Sequence, residues 1–529
     1  MVKRFVILLL IAAWSMVNGQ WSMAQTAAIR VLYSLVRNTS YETKADSMTN
    51  AFIESFMIKD KGIFNDRYKK YADNAYWTQA HAIDVVIYNY ERHKDIDGTL
   101  ARKYLNYIKL WYKNKANNYS GAAAASSTTP NINTGYKMFE NPFTDDMCWI
   151  TLALLHIGEA TGTSSYSVIA RQVFDNYIIK RAHYTEDSTA IWLPWNNESG
   201  SGPNACTMSP ATLIAAKLYQ KYGTEKYLDY AKKLYKYTAT NLVESDGRVE
   251  EPPLTYTQGT FAEACRILFH VTDEGSTMKA KYKNFAYTYL NYAFTSDRCT
   301  SQGYLRDEGH DGNQSIFKAV LIPYAVNYVL DESMPQTSTQ PYRKNILNLI
   351  LKNTNIMWKK LDKSRYPLVF CNYDWTQPYT GADNEASMGA ACSGSSLMEN
   401  TARMCVAIVD RYNLGVLYTQ CNKFVVEPAL EGEAEMIAFN AAKSTAAEIM
   451  ANPGDYTHAQ FLQAIEALET AYQAAQDFAT GIKDLKDLKD PKDLNDIWFD
   501  LSGRIVNRKS LNGKPHGIYI KDGRKTYIR

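Results

Sequence analysis

The 529-residue sequence lacks the features of several common functional classes. It contains no C-x-x-C pair and no H-E-x-x-H run, so neither of these spacings of metal ligands is present. The formal net charge of +3 is too small to indicate nucleic acid or a membrane surface as a partner. Beyond the start of the chain, no segment is long and apolar enough to span a bilayer. We therefore expect no metal, no cofactor, no nucleic-acid partner and no transmembrane segment.

The start of the chain is typical of a secretory signal peptide. Lys3 and Arg4 precede a short apolar run, and S-M-A at residues 22–24 offers small residues for cleavage, so we expect residues 1–24 to be a signal peptide. Cysteine is absent before Cys148, so we expect no lipid anchor near the start and a secreted or cell-surface protein. The eight cysteines fall mostly within apolar helical patterns, which predicts buried free thiols rather than disulfides.

The central part of the chain predicts an all-α fold. Apolar residues recur with helical spacing in about twelve segments that form six couples. Connections within a couple are short, whereas those between couples are long and rich in Trp, Asn, Gly and Pro. In a closed ring of antiparallel couples the long loops share one face, where function concentrates. The predicted segments are 27–57 with a break near 38, 76–90, 100–112, 141–158, 166–179, 210–222, 225–242, 258–271, 278–294, 315–330, 342–361 and 386–412.

Two adjacent carboxylates, Asp145 and Asp146, stand at the start of a segment with almost no polar face. We expect this segment, N-P-F-T-D-D-M-C-W-I-T-L-A-L-L-H-I-G, to be a buried helix that Thr144 caps. Buried carboxylates are costly unless something uses or neutralises them. Acidic residues are also common in a first helical turn, where the helix dipole favours them, so the pattern alone leaves both explanations open.

Other ends of the long loops carry aromatic rings and amides. Flat rings can stack on the C–H faces of sugars, and a few convergent polar groups fix a ligand's orientation. The candidate substrate-binding residues are Trp77, Gln79, Trp195, Asn204, Tyr256, Gln258, Phe317, Lys318 and Trp375.

The D-D-x-x-W run from Asp145 to Trp149 resembles the motif of glycoside hydrolase family 76, the endo-α-1,6-mannanases. The loop ends resemble, in order, that family's W-Q, N-A, Y-N-Q-G and F-K segments over about residues 27–417, with Thr257 in place of Asn. The resemblance implies an (α/α)6 barrel in which Asp145 is the nucleophile and Asp146 the acid/base. It also implies α-mannan, as polysaccharide or oligosaccharide, as the substrate.

The C-terminal part has a different character. After a catalytic domain over residues 25–425, we predict a helical hairpin over 426–482 and a charged linker over 483–497. Residues 498–529 predict a β-rich tail with a D-G turn. The tail resembles the C-terminal sorting module of proteins secreted by the Bacteroidota type IX system, which implies the secretion machinery as a partner.

The sequence supports a retaining mechanism and leaves rivals open. Retaining hydrolysis needs two carboxyl groups about 5–5.5 Å apart, which adjacent residues at a helix start can reach. An inverting enzyme would instead pair Asp146 with a distant base, such as Asp311 or Asp374. One further rival is a non-catalytic glycan-binding protein of the SusD type. Another is a different (α/α)6 enzyme, such as a glucuronyl hydrolase or a sugar epimerase.

Overall fold

The computed structural model describes residues 23–70, 76–118, 139–250 and 255–486, together with four short strands near the C-terminus. The predicted signal peptide lies almost wholly outside the described residues. Residues 119–138 and most of the predicted linker over 483–497 also lie outside them. The chain divides into two compact units, Met1–Val409 and Asp410–Arg529.

The first unit is built almost entirely of helices, as predicted, and three short β-hairpins lie in its connections. The helices are α1 (Met23–Val36), α2 (Glu42–Phe56), α3 (Tyr76–His93), α4 (Gly98–Asn118), α5 (Thr144–Thr161), α6 (Ser164–Val173), α7 (Ala205–Tyr222), α8 (Glu225–Asn241), α9 (Thr255–Val271), α10 (Thr277–Thr295), α11 (Phe317–Leu330), α12 (Tyr342–Lys360) and α13 (Met388–Cys421). The hairpin strands are β1 (Met57–Ile58), β2 (Ile63–Phe64), β3 (His183–Tyr184), β4 (Ile191–Trp192), β5 (Thr300–Ser301) and β6 (Tyr304–Leu305).

Six of these helices form a closed inner ring. Helices α3, α5, α7, α9 and α11 contact one another in succession. Helix α13 completes the ring because Ser396 Oγ donates to the Ala319 carbonyl of α11 at 3.0 Å and Cys392 Sγ donates to the His81 carbonyl of α3 at 3.4 Å. The inner helices are buried on most of their surface, which explains why their sequences are apolar nearly all round.

An outer layer of helices covers this ring. Helices α4, α6, α8, α10 and α12 each pack on the inner helix that precedes them in the chain. Close approach between inner helices requires small residues at some contacts. A Cβ on Gly259 of α9 would lie 2.8 Å from the Cα of Leu321 on α11. The architecture is therefore the predicted (α/α)6 barrel of helical couples.

The connections place the loops as the sequence predicted. Each inner helix passes to its outer partner through a short turn, such as 162–163 after α5 or 223–224 after α7. The return connections are longer, for example 296–316 and 361–387, and they lead into the N-termini of inner helices. Because neighbouring couples run in the same sense, these N-termini share one face of the barrel, and the long loops gather there.

The second unit contains a helical hairpin and a small sheet. Helices α14 (Ala434–Ala451) and α15 (His458–Lys486) pack against each other. Strands β7 (Trp498–Phe499), β8 (Ile505–Val506), β9 (Gly517–Lys521) and β10 (Arg524–Ile528) form an antiparallel sheet in the order β10-β9-β7-β8. None of the helices that the structure describes is long and apolar enough to cross a membrane.

All eight cysteines lie in described segments and are buried free thiols, as the helical patterns predicted.

Candidate active site

The two carboxylates Asp145 and Asp146 lie in the first turn of the inner helix α5. The helix begins at Thr144, and the residue before it, Phe143, makes no side-chain cap. The prediction that Thr144 caps the helix was wrong, because Thr144 is its first residue and its N–H donates to the Trp195 carbonyl at 2.7 Å. The long loop that carries Trp195 therefore satisfies this helix end, and the helix dipole favours negative charge there.

A partly buried arginine fixes the backbone that leads into the acidic pair. Arg181 donates from Nη2 to the Asn141 carbonyl at 2.7 Å. Its Nη1 donates to the Pro142 carbonyl at 2.7 Å and to Thr144 Oγ1 at 3.1 Å. One planar, permanently charged group thus holds three acceptors between residues 141 and 144, because its fork geometry suits several acceptors at once.

The carboxylate of Asp145 accepts hydrogen bonds from three protein donors. Trp195 Nε1 donates to Oδ2 at 3.0 Å, and Cys206 Sγ donates to the same oxygen at 3.3 Å. The backbone N–H of Asp146 donates to Oδ1 at 2.9 Å. Burial raises the pKa of Asp145 to about 6, and the three donors oppose this rise because they favour the ionised form.

Asp146 has a different set of surroundings. Asn141 Nδ2 lies 3.4 Å from Asp146 Oδ2, and the Asn141 side-chain oxygen accepts the Phe143 N–H at 2.7 Å. Asn141 is completely buried, so its amide is held in one orientation. Neighbouring carboxyl groups do not ionise independently, because their like charges repel. Different partners favour ionisation of one group over the other, and an acid/base and a nucleophile need this difference.

An aromatic cluster lies one helical turn below the acidic pair. Trp149 follows Asp145 by four residues and so shares its face of α5. Its ring lies 6.3 Å from that of Trp77 and 5.8 Å from that of Tyr256. Tyr256 stacks on Phe317 at 4.3 Å and 10°, and Trp77 lies 5.7 Å from Phe317. Three predicted residues on three inner helices therefore converge around Trp149, beside the carboxylates.

Two loop contacts extend this region at the mouth of the barrel. Trp77 Nε1 donates to Asn313 Oδ1 at 2.7 Å, which joins the start of α3 to the loop before α11. Lys318 Nζ donates to the Tyr373 carbonyl at 2.5 Å and lies 4.2 Å from the centre of the Trp375 ring. Burial lowers the pKa of Lys318. Since the Trp375 ring is buried as well, these two side chains support the loops beneath the surface.

The structure gives the predicted amides partners inside the fold. Gln79 accepts from the Phe64 N–H and donates to the Phe64 carbonyl, each at 2.9 Å, which ties hairpin β1–β2 to α3. Asn204 caps α7 by accepting the Thr207 N–H at 3.1 Å. Gln258 donates to the Val249 carbonyl at 3.1 Å. These contacts favour structural roles for Gln79 and Asn204 over the predicted contact with sugar. Trp195, with 43% of its surface exposed, is the predicted residue best placed to meet a ligand.

The sequence patterns did not indicate four further residues of this region, namely Asn141, Arg181, Cys206 and Glu308. Glu308 accepts the Thr255 N–H and hydroxyl at the start of α9, and burial raises its pKa to about 7. Asn141 lies just before α5, and Cys206 lies in the first turn of α7. These positions at the starts of inner helices were the sequence signal that could have indicated both residues. Among the described residues, no group of three or more His, Cys, Asp or Glu side chains could hold a metal ion.

The fold is an (α/α)6 barrel with two adjacent carboxylates at the start of an inner helix, and comparison with known families gives the class of protein. Residues 40–407, more than half of the chain, match the model of glycosyl hydrolase family 76. The chain therefore belongs to this family. A comparison with curated proteins found no match.

Solved structures of the same fold are similar at low sequence identity. The α-1,6-mannanase GH76A from Salegentibacter sp. HEL1_6 has a TM-score of 0.57 and 22% identity, over 69% of this chain and 99% of that one. An inactive variant of the same enzyme, with two consecutive aspartates replaced by alanine, was solved with α-1,6-mannotetrose. It has a TM-score of 0.56 and 22% identity, over 69% of this chain and 100% of that one. The Lin0763 protein from Listeria innocua has a TM-score of 0.56 and 20% sequence identity, over 69% of this chain and 98% of that one.

Proposed function

We propose that this protein hydrolyses α-1,6-linkages in the backbone of mannan. The observation that carries the proposal is the Asp145–Asp146 pair at the mouth of the barrel, where the two carboxyl groups have different partners. In the Salegentibacter mannanase, variants at two consecutive aspartates are inactive and were solved with α-1,6-mannotetrose or α-1,6-mannotriose. The aromatic cluster around Trp149 and the exposed Trp195 supply rings of the kind that sugar sites use.

The proposed mechanism is double displacement with retention. Asp145 is the nucleophile, because an ionised carboxylate only accepts hydrogen bonds and three donors face this one. Asp146 protonates the leaving oxygen and then activates water. Burial raises the pKa of Asp145 to about 6, so loss of its proton fits catalysis above about pH 6. Formation of a mannosyl ester on Asp145 removes its charge and leaves Asp146 free to act as the base.

The substrate is tested by product analysis. Purified protein is incubated with unbranched α-1,6-mannan, branched yeast mannan, β-1,4-mannan and xylan, and soluble products are separated by mass and linkage. We expect α-1,6-linked oligosaccharides from the unbranched substrate and little or nothing from the β-linked polymers. Binding to α-mannan without any product would favour the glycan-binding alternative and would contradict the proposed hydrolysis.

We also propose that the protein is exported and that its β-rich tail is a sorting signal. Support comes from the basic and apolar start of the chain and from the sheet formed by β7–β10. Deletion of residues 498–529 should leave hydrolysis intact in cell lysate and reduce the enzyme in the culture medium. Unchanged secretion of the truncated protein would contradict this role of the tail.

A further inference from the structure

The thiol of Cys206 has an unusual acceptor. Two other cysteine thiols donate to backbone carbonyls, Cys371 to that of Asn372 and Cys392 to that of His81, each at 3.4 Å. The Cys206 thiol instead lies 3.3 Å from Oδ2 of Asp145, the oxygen that also accepts from Trp195. An ionised carboxylate has no hydrogen to give, so the thiol is the donor in this contact.

The fold places this thiol with little freedom to move. Cys206 is the second residue of α7, whose start is capped by Asn204, and α7 packs against α5 in the inner ring. The Cys206 side chain is almost completely buried, with 6% of its surface exposed. A donor carried by one rigid helix therefore meets a carboxylate carried by the neighbouring rigid helix, which is how precise sites are supported.

We propose that Cys206 is a positioning residue that fixes the orientation of the Asp145 carboxylate through a thiol hydrogen bond to Oδ2. The inference deepens the proposed function, on which its catalytic consequence rests. A thiol is a weak donor, so it restrains the carboxylate while withdrawing less charge from it than a hydroxyl would. This leaves a buried nucleophile oriented yet reactive.

Two substitutions separate orientation from simple packing. Cys206→Ala removes the donor, so the acidic limb of kcat/KM should move up by about one pH unit and kcat should fall. Cys206→Ser keeps a donor and strengthens it, so the same limb should move towards lower pH. The matched control is Cys265→Ala, since Cys265 is an equally buried thiol on the inner helix α9. Cys265→Ala should leave the pH profile of kcat/KM unchanged. A substitution at any residue that only packs should do the same.

An infrared measurement on the whole protein tests the contact without relying on activity. The S–H stretching band of Cys206 is isolated as the difference between wild type and Cys206→Ala. We expect a band shifted to low frequency by the carboxylate, and we expect Asp145→Asn to move it upwards. A Cys206 band that does not respond to Asp145→Asn would overturn the inference, even if the enzyme cleaves mannan. A responsive band in a protein that cleaves no mannan would support the positioning contact and refute the proposed function.

Discussion

His156 joins two inner helices through a buried ionic contact, and its removal should destabilise the barrel. His156 on α5 lies 2.7 Å from Asp84 Oδ1 and 3.4 Å from Glu91 Oε2, both on α3. Burial disfavours the imidazolium, yet the hydrogen bonds to the two carboxylates prevail and raise the pKa of His156 from 6.5 to about 10. We therefore predict that His156→Gln lowers the free energy of unfolding substantially.

The size of this loss follows from the same contact. At 1.36 kcal/mol per pKa unit, the rise in the pKa of His156 corresponds to about 5 kcal/mol of stabilisation of its charged form. This figure is an upper value for the contribution of the contact to the free energy of unfolding. Breaking a buried ion pair by removing one partner costs about 3–5 kcal/mol. Because 17% of the His156 side chain remains exposed, water screens part of the interaction. We expect a loss of about 3 kcal/mol at pH 6.

The pH dependence gives the sign of the effect. A histidine whose pKa is higher in the folded state stabilises fully below its unfolded pKa of 6.5, and this stabilisation disappears as the pH rises through about 10. Urea unfolding, followed by tryptophan fluorescence, should therefore show a difference between wild type and His156→Gln that shrinks between pH 6.5 and 10.5. His183→Gln, at an exposed ring stacked on Trp192, is the control. A difference that is small at pH 6, or that does not change with pH, would refute the reasoning.

Two further predictions concern catalysis. Asp145→Asn and Asp146→Asn should each reduce kcat on the order of 10³-fold or more with an unchanged thermal melt, and near-normal activity in either variant would remove that residue from the mechanism. Trp195→Phe keeps a ring but loses the donor to Asp145, so kcat/KM should fall about tenfold at pH 5 and its acidic limb should rise by about one pH unit. Trp358→Phe, on the outer helix α12, is the matched control for the loss of an indole, and a similar effect there would argue against a specific contact.

The sequence was sufficient to predict the barrel because the fold depends on repetition. The alternation of short and long connections and the apolar character of segments such as 141–158 are properties of the chain itself. The same holds for the acidic pair, which stands near the start of one of these apolar segments. Helix ends were predicted less accurately. Helix α7 begins at Ala205 rather than at 210, because Asn204 caps it and Pro210 lies within its second turn.

The partners of the site residues could not be predicted, because they come from distant parts of the chain. Cys206 is 61 residues from Asp145, and Arg181 lies 37 to 40 residues from its acceptors, so the contacts exist only after the helices pack. Gln79 illustrates a related difficulty. A glutamine at a loop end suits a sugar hydroxyl and a backbone amide equally well in sequence, and only the position of Phe64 shows which partner it takes.

The central claim is that Asp145 and Asp146 divide the work of a retaining mannanase. The most direct test is proton NMR of the first product released from a short α-1,6-mannooligosaccharide, recorded before mutarotation. Attack by Asp145 followed by water requires two inversions at the anomeric carbon, so the α-anomer should appear first. If the β-anomer appears first, water attacks directly, and the assignment of Asp145 as nucleophile is contradicted.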